Sequence, residues 1–201
     1  MKTLCILISF LLLLSCNKND TTTLLKRDLT IRAGQTGDSV SYSDLTPDII
    51  VKYADVSCKN FYGEDSIDLN KDKAFDIKII YQVVTPDLDY SCCPGGDCFP
   101  SGYQLIELKG LNEKYQIAID SAKIIHKFNA NDIISRNYNW DNSKTVYFAN
   151  SLFPAWINKW NDTENKYIGI RILDKDTLYG WIRISYKDTI VVKDYAFKKI
   201  N

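Results

Sequence analysis

From residue 29 onward, apolar residues recur in short runs of period two, separated by turn formers. This alternation places successive side chains on opposite faces of an extended backbone, so it predicts strands rather than helices. Eleven runs qualify: 29–32, 48–57, 65–69, 75–85, 103–108, 115–120, 122–128, 145–149, 167–173, 177–186 and 189–197. In 177–186, Ile182, Ile184 and Tyr186 alternate with Trp181, Arg183 and Ser185, which predicts a strand with one buried face. Lys187-Asp188 reads as a two-residue hairpin link to the last run, without the glycine that tight hairpin turns favour. Gly169 and Gly180 interrupt two strand runs and mark places where a neighbouring strand's side chain crosses the sheet. The one helical turn predicted is 154–160, where Trp156 and Trp160 stand four apart. Many short strands with little helix predict an all-β fold. The expected architecture is two packed antiparallel sheets, a β-sandwich of jelly-roll or immunoglobulin-like type, with 29–201 as one domain.

The N-terminal segment follows another pattern. Lys2 precedes an apolar run, 4–14, of 11 residues that ends in Leu13-Leu14-Ser15-Cys16. A helix needs about 20 apolar residues to cross the hydrocarbon core, so the run reads as an export signal rather than a permanent anchor. The arrangement resembles the bacterial lipoprotein signal. That resemblance implies removal of 1–15 and diacylation of the Cys16 thiol, which makes the membrane a partner. Two acyl chains meet the requirement for stable anchoring, since each buried methylene contributes about 0.8 kcal/mol. Residues 17–23 are polar throughout, so 16–28 reads as a flexible tether. Asn17, rather than Asp, follows the cysteine. By resemblance to enterobacterial sorting, this implies an outer-membrane location in the cell envelope.

Composition narrows the function classes. The chain has 201 residues, 45% hydrophobic and 25% charged, which excludes disorder throughout and a multi-span membrane protein. Lys+Arg and Asp+Glu are 25 each, so no basic surplus exists to bind nucleic acid. With Cys5 in the signal and Cys16 acylated, four cysteines remain: Cys58, Cys92, Cys93 and Cys98. An even number in an exported chain predicts two disulfides. A bridge between neighbours Cys92 and Cys93 would be strained, so Cys58 is expected to pair within the 92–98 cluster.

The most chemically specific stretch is 68–76, where Asp68, Asn70, Asp72 and Asp76 occupy positions 1, 3, 5 and 9 and Ala74 would contribute its carbonyl. Calcium takes six to eight oxygen ligands, and a tightly turning loop can aim alternate side chains at one ion. The segment resembles the DxNxDGxxD loops of dockerins and of extracellular β-propeller and lipoprotein domains, which implies a structural Ca2+. Lys73 replaces the usual glycine at position six, and Ile79 replaces the bidentate glutamate at position twelve. Both departures lower the expected affinity.

Catalysis has little to work with. His126 is the one histidine, flanked in strand alternation by Ile124 and Phe128, and reads as packed or half-exposed. No nucleophile elbow, phosphate loop or dinucleotide fingerprint is present, so the chain reads as a non-enzyme. Trp140, Trp156 and Trp160 are the candidates for stacking on a glycan, with Trp156 and Trp160 expected to be exposed in a segment rich in Asn and Lys. The two expectations are a lipid-anchored binding or structural module with a protein or glycan partner, and a carbohydrate-binding or weakly carbohydrate-active protein.

The segments Tyr167-Ile168-Gly169-Ile170-Arg171, Tyr179-Gly180-Trp181-Ile182-Arg183-Ile184 and Val192-Lys193-Asp194-Tyr195-Ala196-Phe197 close the chain. With Asn131-Asp132-Ile133-Ile134-Ser135 and the 68–76 loop, they resemble a group of uncharacterised bacterial lipoproteins. The resemblance implies an extracytoplasmic all-β domain and no particular activity.

Overall fold

A computed structural model describes residues 30–52, 54–57, 60–84, 103–143, 146–150, 160, 163–187 and 189–198. Their fold is all-β. Fourteen strands run in chain order: β1 (Ile31–Arg32), β2 (Val40–Val51), β3 (Ala54–Ser57), β4 (Asn60–Ile67), β5 (Ile77–Val84), β6 (Tyr103–Gly110), β7 (Tyr115–Ile119), β8 (Lys127–Phe128), β9 (Ile133–Ile134), β10 (Asn139–Asp141), β11 (Val146–Asn150), β12 (Thr163–Leu173), β13 (Thr177–Tyr186) and β14 (Ile190–Lys198). A large antiparallel sheet has the order β10-β7-β12-β13-β14-β2, with β8 also paired to β12. A five-stranded sheet has the order β11-β6-β5-β4-β3, and β1 pairs with β9 as a third, two-stranded sheet. β2 ends on the large sheet and β3 begins on the five-stranded one, so the chain turns this corner within a few residues.

The main core lies between the two larger sheets. Ile67, Ile77, Ile79, Ile106 and Leu108 face Ile117, Ile168, Ile170, Ile182, Ile184 and Val192 in one buried cluster. The predicted alternation holds along β13, where Ile182, Ile184 and Tyr186 join this core. The expectation of one buried face does not. Trp181 is also buried, on the opposite face, because Ile31, Ala33 and Ile134 of the β1/β9 layer close over it in a second cluster with Tyr167, Tyr179 and Ala196. The sandwich therefore carries a partial third layer.

Two irregularities reset the alternation. The β13–β14 ladder shifts register between Arg183↔Asp194 and Ile184↔Val192, leaving Lys193 unmatched. The extra residue lets Ile190 and Val192 reach the core before the bulge and Tyr195 and Phe197 after it. On the sheet edge, β2 pairs Ile49 with Val192 and then Asp44 with Asp194, so the residues around Pro47 bow out of the ladder. Proline lacks the N–H that an inner strand would need, and an edge position tolerates it. The final hairpin is present, but its first matched pair is Tyr186↔Ile190, so the link has three residues rather than two.

Both strand glycines sit under a neighbour's side chain, as their placement predicts. A Cβ at Gly169 would lie 2.9 Å from Phe128 Cε2 and 3.1 Å from Ala118 Cβ. A Cβ at Gly180 would overlap the Phe197 ring and lie 2.5 Å from the Ala196 carbonyl oxygen.

Candidate functional site

The loop 68–76 joins β4 to β5 at one end of the sandwich and is built on its own carboxylates. Asp68 Oδ1 accepts hydrogen bonds from the Lys71 N–H at 2.7 Å and the Asp72 N–H at 3.3 Å, while Oδ2 accepts from the Lys73 N–H at 2.7 Å. Asn70 Oδ1 accepts from the Asp72 N–H, and Asp72 Oδ1 accepts from the Ala74 N–H at 2.8 Å. These are the side chains that favour local turns over ladder pairing. Lys71 and Lys73 adopt φ of 62° and 74°, the left-handed region. Position six thus has the backbone conformation that glycine usually supplies, held here by Asp68 despite the Cβ of lysine.

Side chains of the large sheet fasten the loop. The Tyr195 hydroxyl donates to the Asp68 carbonyl at 3.0 Å, and Asn70 Nδ2 approaches the Tyr115 hydroxyl at 3.5 Å. Asp76 is buried, accepts from the Leu69 N–H at 2.8 Å and is hydrogen-bonded to Tyr115. Burial and then that bond push the Tyr115 phenol above its ordinary range. Burial likewise raises Tyr195, against a hydrogen bond with Ser43 that lowers it, and the Asp68 and Asp76 charges add to the rise. Both phenols are therefore neutral donors at ordinary pH, suited to holding carbonyl and carboxylate oxygens.

Asp68, Asn70, Asp72, Ala74 and Asp76 thus lie along one turn between β4 and β5. Among the described residues no three His, Cys, Asp or Glu side chains converge in a metal-holding group. The oxygens of Asp68 and Asp72 point at backbone N–H groups along the turn instead.

The aromatic candidates separate. Trp160, expected to be exposed, is fully buried: its indole joins the main core and Nε1 donates to the Ile125 carbonyl at 2.9 Å. Polar neighbours in sequence suggested a surface, but the indole finds its acceptor inside. Trp160 therefore cannot stack on a glycan. Trp140 is half-buried, with the Arg171 guanidinium 4.9 Å from its ring centroid and Tyr179 at 5.5 Å. Arg171 in turn donates from Nε to Oε1 of the buried Gln116 side chain at 2.7 Å, so one face of the Trp140 ring is taken by a held cation. Trp156 lies outside the described residues, as do Cys16, Cys58, Cys92, Cys93, Cys98 and most of the predicted helical turn 154–160. His126 is half-buried between Phe128 at 4.5 Å and Tyr138 at 4.9 Å, the packed position its strand context predicts.

One constellation had no marker in the sequence. On the outer face of the large sheet, buried Asp194 accepts from Arg183 through Nε at 2.8 Å and Nη2 at 2.5 Å, and from the Tyr42 hydroxyl at 2.8 Å. Burial, then the bond to Asp194, pushes the Tyr42 phenol up to about 12. The group links β2, β13 and β14 across a pairing visible only once Lys193 bulges. Because Arg183 and Tyr42 reach solvent, it reads as a sheet clamp. Compared with known proteins, the chain matches no family model, no curated protein and no solved structure.

Proposed function

We propose that this protein is a lipid-anchored, non-catalytic module of the cell envelope, held at the outer membrane through acylated Cys16 and serving as a binding or structural domain. The observation that carries the reading is the order of segments. A short apolar signal, the Leu-Leu-Ser-Cys motif and the polar stretch 17–23 precede Ile31, a fully buried residue of the first described strand. Export in this manner places Cys58, Cys92, Cys93 and Cys98 in an oxidising compartment, where two disulfides belong to the same reading. Replacing Cys16 with alanine is expected to abolish the acyl mass on the mature chain and move it from the membrane pellet to the soluble fraction. Unchanged membrane recovery of that variant, with no acyl mass on the parent, defeats the proposal.

In this reading the 68–76 loop takes calcium as a structural ion. Support comes from the left-handed backbone at Lys73 and from the oxygen side chains at alternate positions. Extracellular calcium modules bind at roughly 0.1–1 mM, so ~10 mM calcium would add about 1.4–2.7 kcal/mol by mass action. For a domain of this size that raises the melting temperature by about 3–11 °C over chelator. An Asp68→Ala variant should lose this difference. Equal melting temperatures of the parent protein in calcium and chelator remove the ion from the proposal.

A further inference from the structure

Three turns meet at the end of the sandwich that holds the 68–76 loop. The Leu111 N–H donates to the Asp76 carbonyl at 2.8 Å, and the Leu173 N–H donates to the Lys114 carbonyl at 2.8 Å. These bonds join the β4–β5, β6–β7 and β12–β13 connections side by side. Each presents an exposed apolar side chain: Phe75 is 61% exposed, Leu111 42% and Leu173 38%. The other large exposed apolar residues, Tyr42, Ile50, Tyr62 and Ile133, are spread over β2, β4 and β9.

Each turn also carries lysine: Lys71 and Lys73 in the first, Lys114 in the second and Lys175 in the third. Among the described residues none of the four is ion-paired. The left-handed backbone at Lys71 and Lys73 accompanies a turn whose Asp68 and Asp72 oxygens are bound to its own N–H groups, so the exposed loop offers Lys71, Lys73 and Phe75 outward. Asp72, Glu113, Asp174 and Asp176 share these tips, so the end is not a basic patch. Its pattern is apolar tips with lysine stems beside them, the combination that places rings and methyls at the acyl boundary and ammonium groups at phosphate level.

We infer that this end of the sandwich, through Phe75, Leu111 and Leu173, docks on the surface of the bilayer that anchors the chain. The inference rests on the acylation of Cys16. Only residues 17–29 separate that cysteine from the described fold. Thirteen residues reach at most about 45 Å, so the domain stays within that distance of the lipid. Confinement of that kind gives a roughly millimolar effective concentration, at which contact by three side chains, too weak to bind from solution, is occupied. Because positive and negative tips are balanced, the contact is insensitive to salt.

The test uses the full chain, acylated and reconstituted in vesicles of phosphatidylethanolamine and phosphatidylglycerol with brominated acyl chains. A Phe75→Trp variant is expected to lose about half of its added emission to the bromine, an effect of shallow insertion. A second pair of changes, Leu111→Asp with Leu173→Asp, is expected to restore that emission, while near-ultraviolet circular dichroism verifies the fold. Full emission from Phe75→Trp in vesicles that carry the protein overturns docking and leaves the anchor intact. Flotation of the parent and of Cys16→Ala on the same vesicles reads the anchor separately. Quenching without acyl-dependent flotation would show a contact that binds from solution, which removes the anchor and overturns the tethered docking inferred here, and absence of both would refute the two together. Concentration-dependent dimerisation that the Leu111→Asp and Leu173→Asp changes abolish, with no quenching, assigns the face to a second copy and likewise overturns docking.

Discussion

Replacing Trp160 with alanine is expected to lower the melting temperature by about 10 °C. The indole is among the largest fully buried side chains, and its N–H is matched by the Ile125 carbonyl. Truncating a buried tryptophan costs about 3–5 kcal/mol, and a domain of this size loses about 2–4 °C per kcal/mol. Trp160→Phe refills part of the cavity but leaves the Ile125 carbonyl without its donor, so an intermediate loss is expected. Thermal unfolding followed by circular dichroism checks both variants. A Trp160→Ala protein that melts within about 2 °C of the parent would mean that the indole does not fill the core.

The second large effect is at Gly180, in the middle of the large sheet. A valine there raises strand propensity, so local preference alone predicts a gain. Packing predicts the reverse. Even a Cβ would overlap the Phe197 ring, and the Ala196 backbone carbonyl behind it belongs to the paired strand and cannot swing aside. Overpacking of this kind costs about 1–3 kcal/mol, and a branched side chain falls at the upper end. Gly180→Val is therefore expected to melt about 6–12 °C lower, and Phe197→Ala in the same chain to recover part of the loss. Equal or higher stability of Gly180→Val in urea unfolding would show that Phe197 does not lie across Gly180.

These two sites also mark what could be read from residue order. β12 and β13 were legible because Ile168, Ile170, Ile182 and Ile184 keep strict alternation toward one core. The glycines beneath Phe128 and Phe197 were legible because a strand interior gives up side-chain packing at a glycine where a neighbour must come close. The first half of β2 was not, since Ser41, Ser43, Asp44, Thr46 and Pro47 have the composition of a loop. An edge strand needs only one pairing partner and little apolar area, so its pattern is weak. β9 and β10 were missed for a related reason: they are two and three residues long, and their partners are remote in sequence. The burial of Trp181 required the β1/β9 layer, which no period along β13 can announce.

The 68–76 turn was legible in its spacing because its oxygens are close in sequence and act locally. What spacing could not convey is the direction of each oxygen: Asp68 is committed to three N–H groups. Nor could it convey that Phe75 shares an end with Leu111 and Leu173, whose turns lie far along the chain. Neighbouring turns become one surface through the β5–β6 and β7–β12 pairings and the Asp76–Leu111 and Lys114–Leu173 backbone bonds beside them.

The pairing of β2 with β14 has a consequence for biogenesis. One of the first strands to be made finds its ladder partner only among the last residues, from Val51↔Ile190 to Val40↔Lys198. A nascent chain cannot close the large sheet until β14 has left the ribosome, so β2 waits without its ladder partner while the strands between them are made. Maturation of the domain is deferred until the final strand is released, and loss of that strand by early termination leaves both β13 and β2 with open edges.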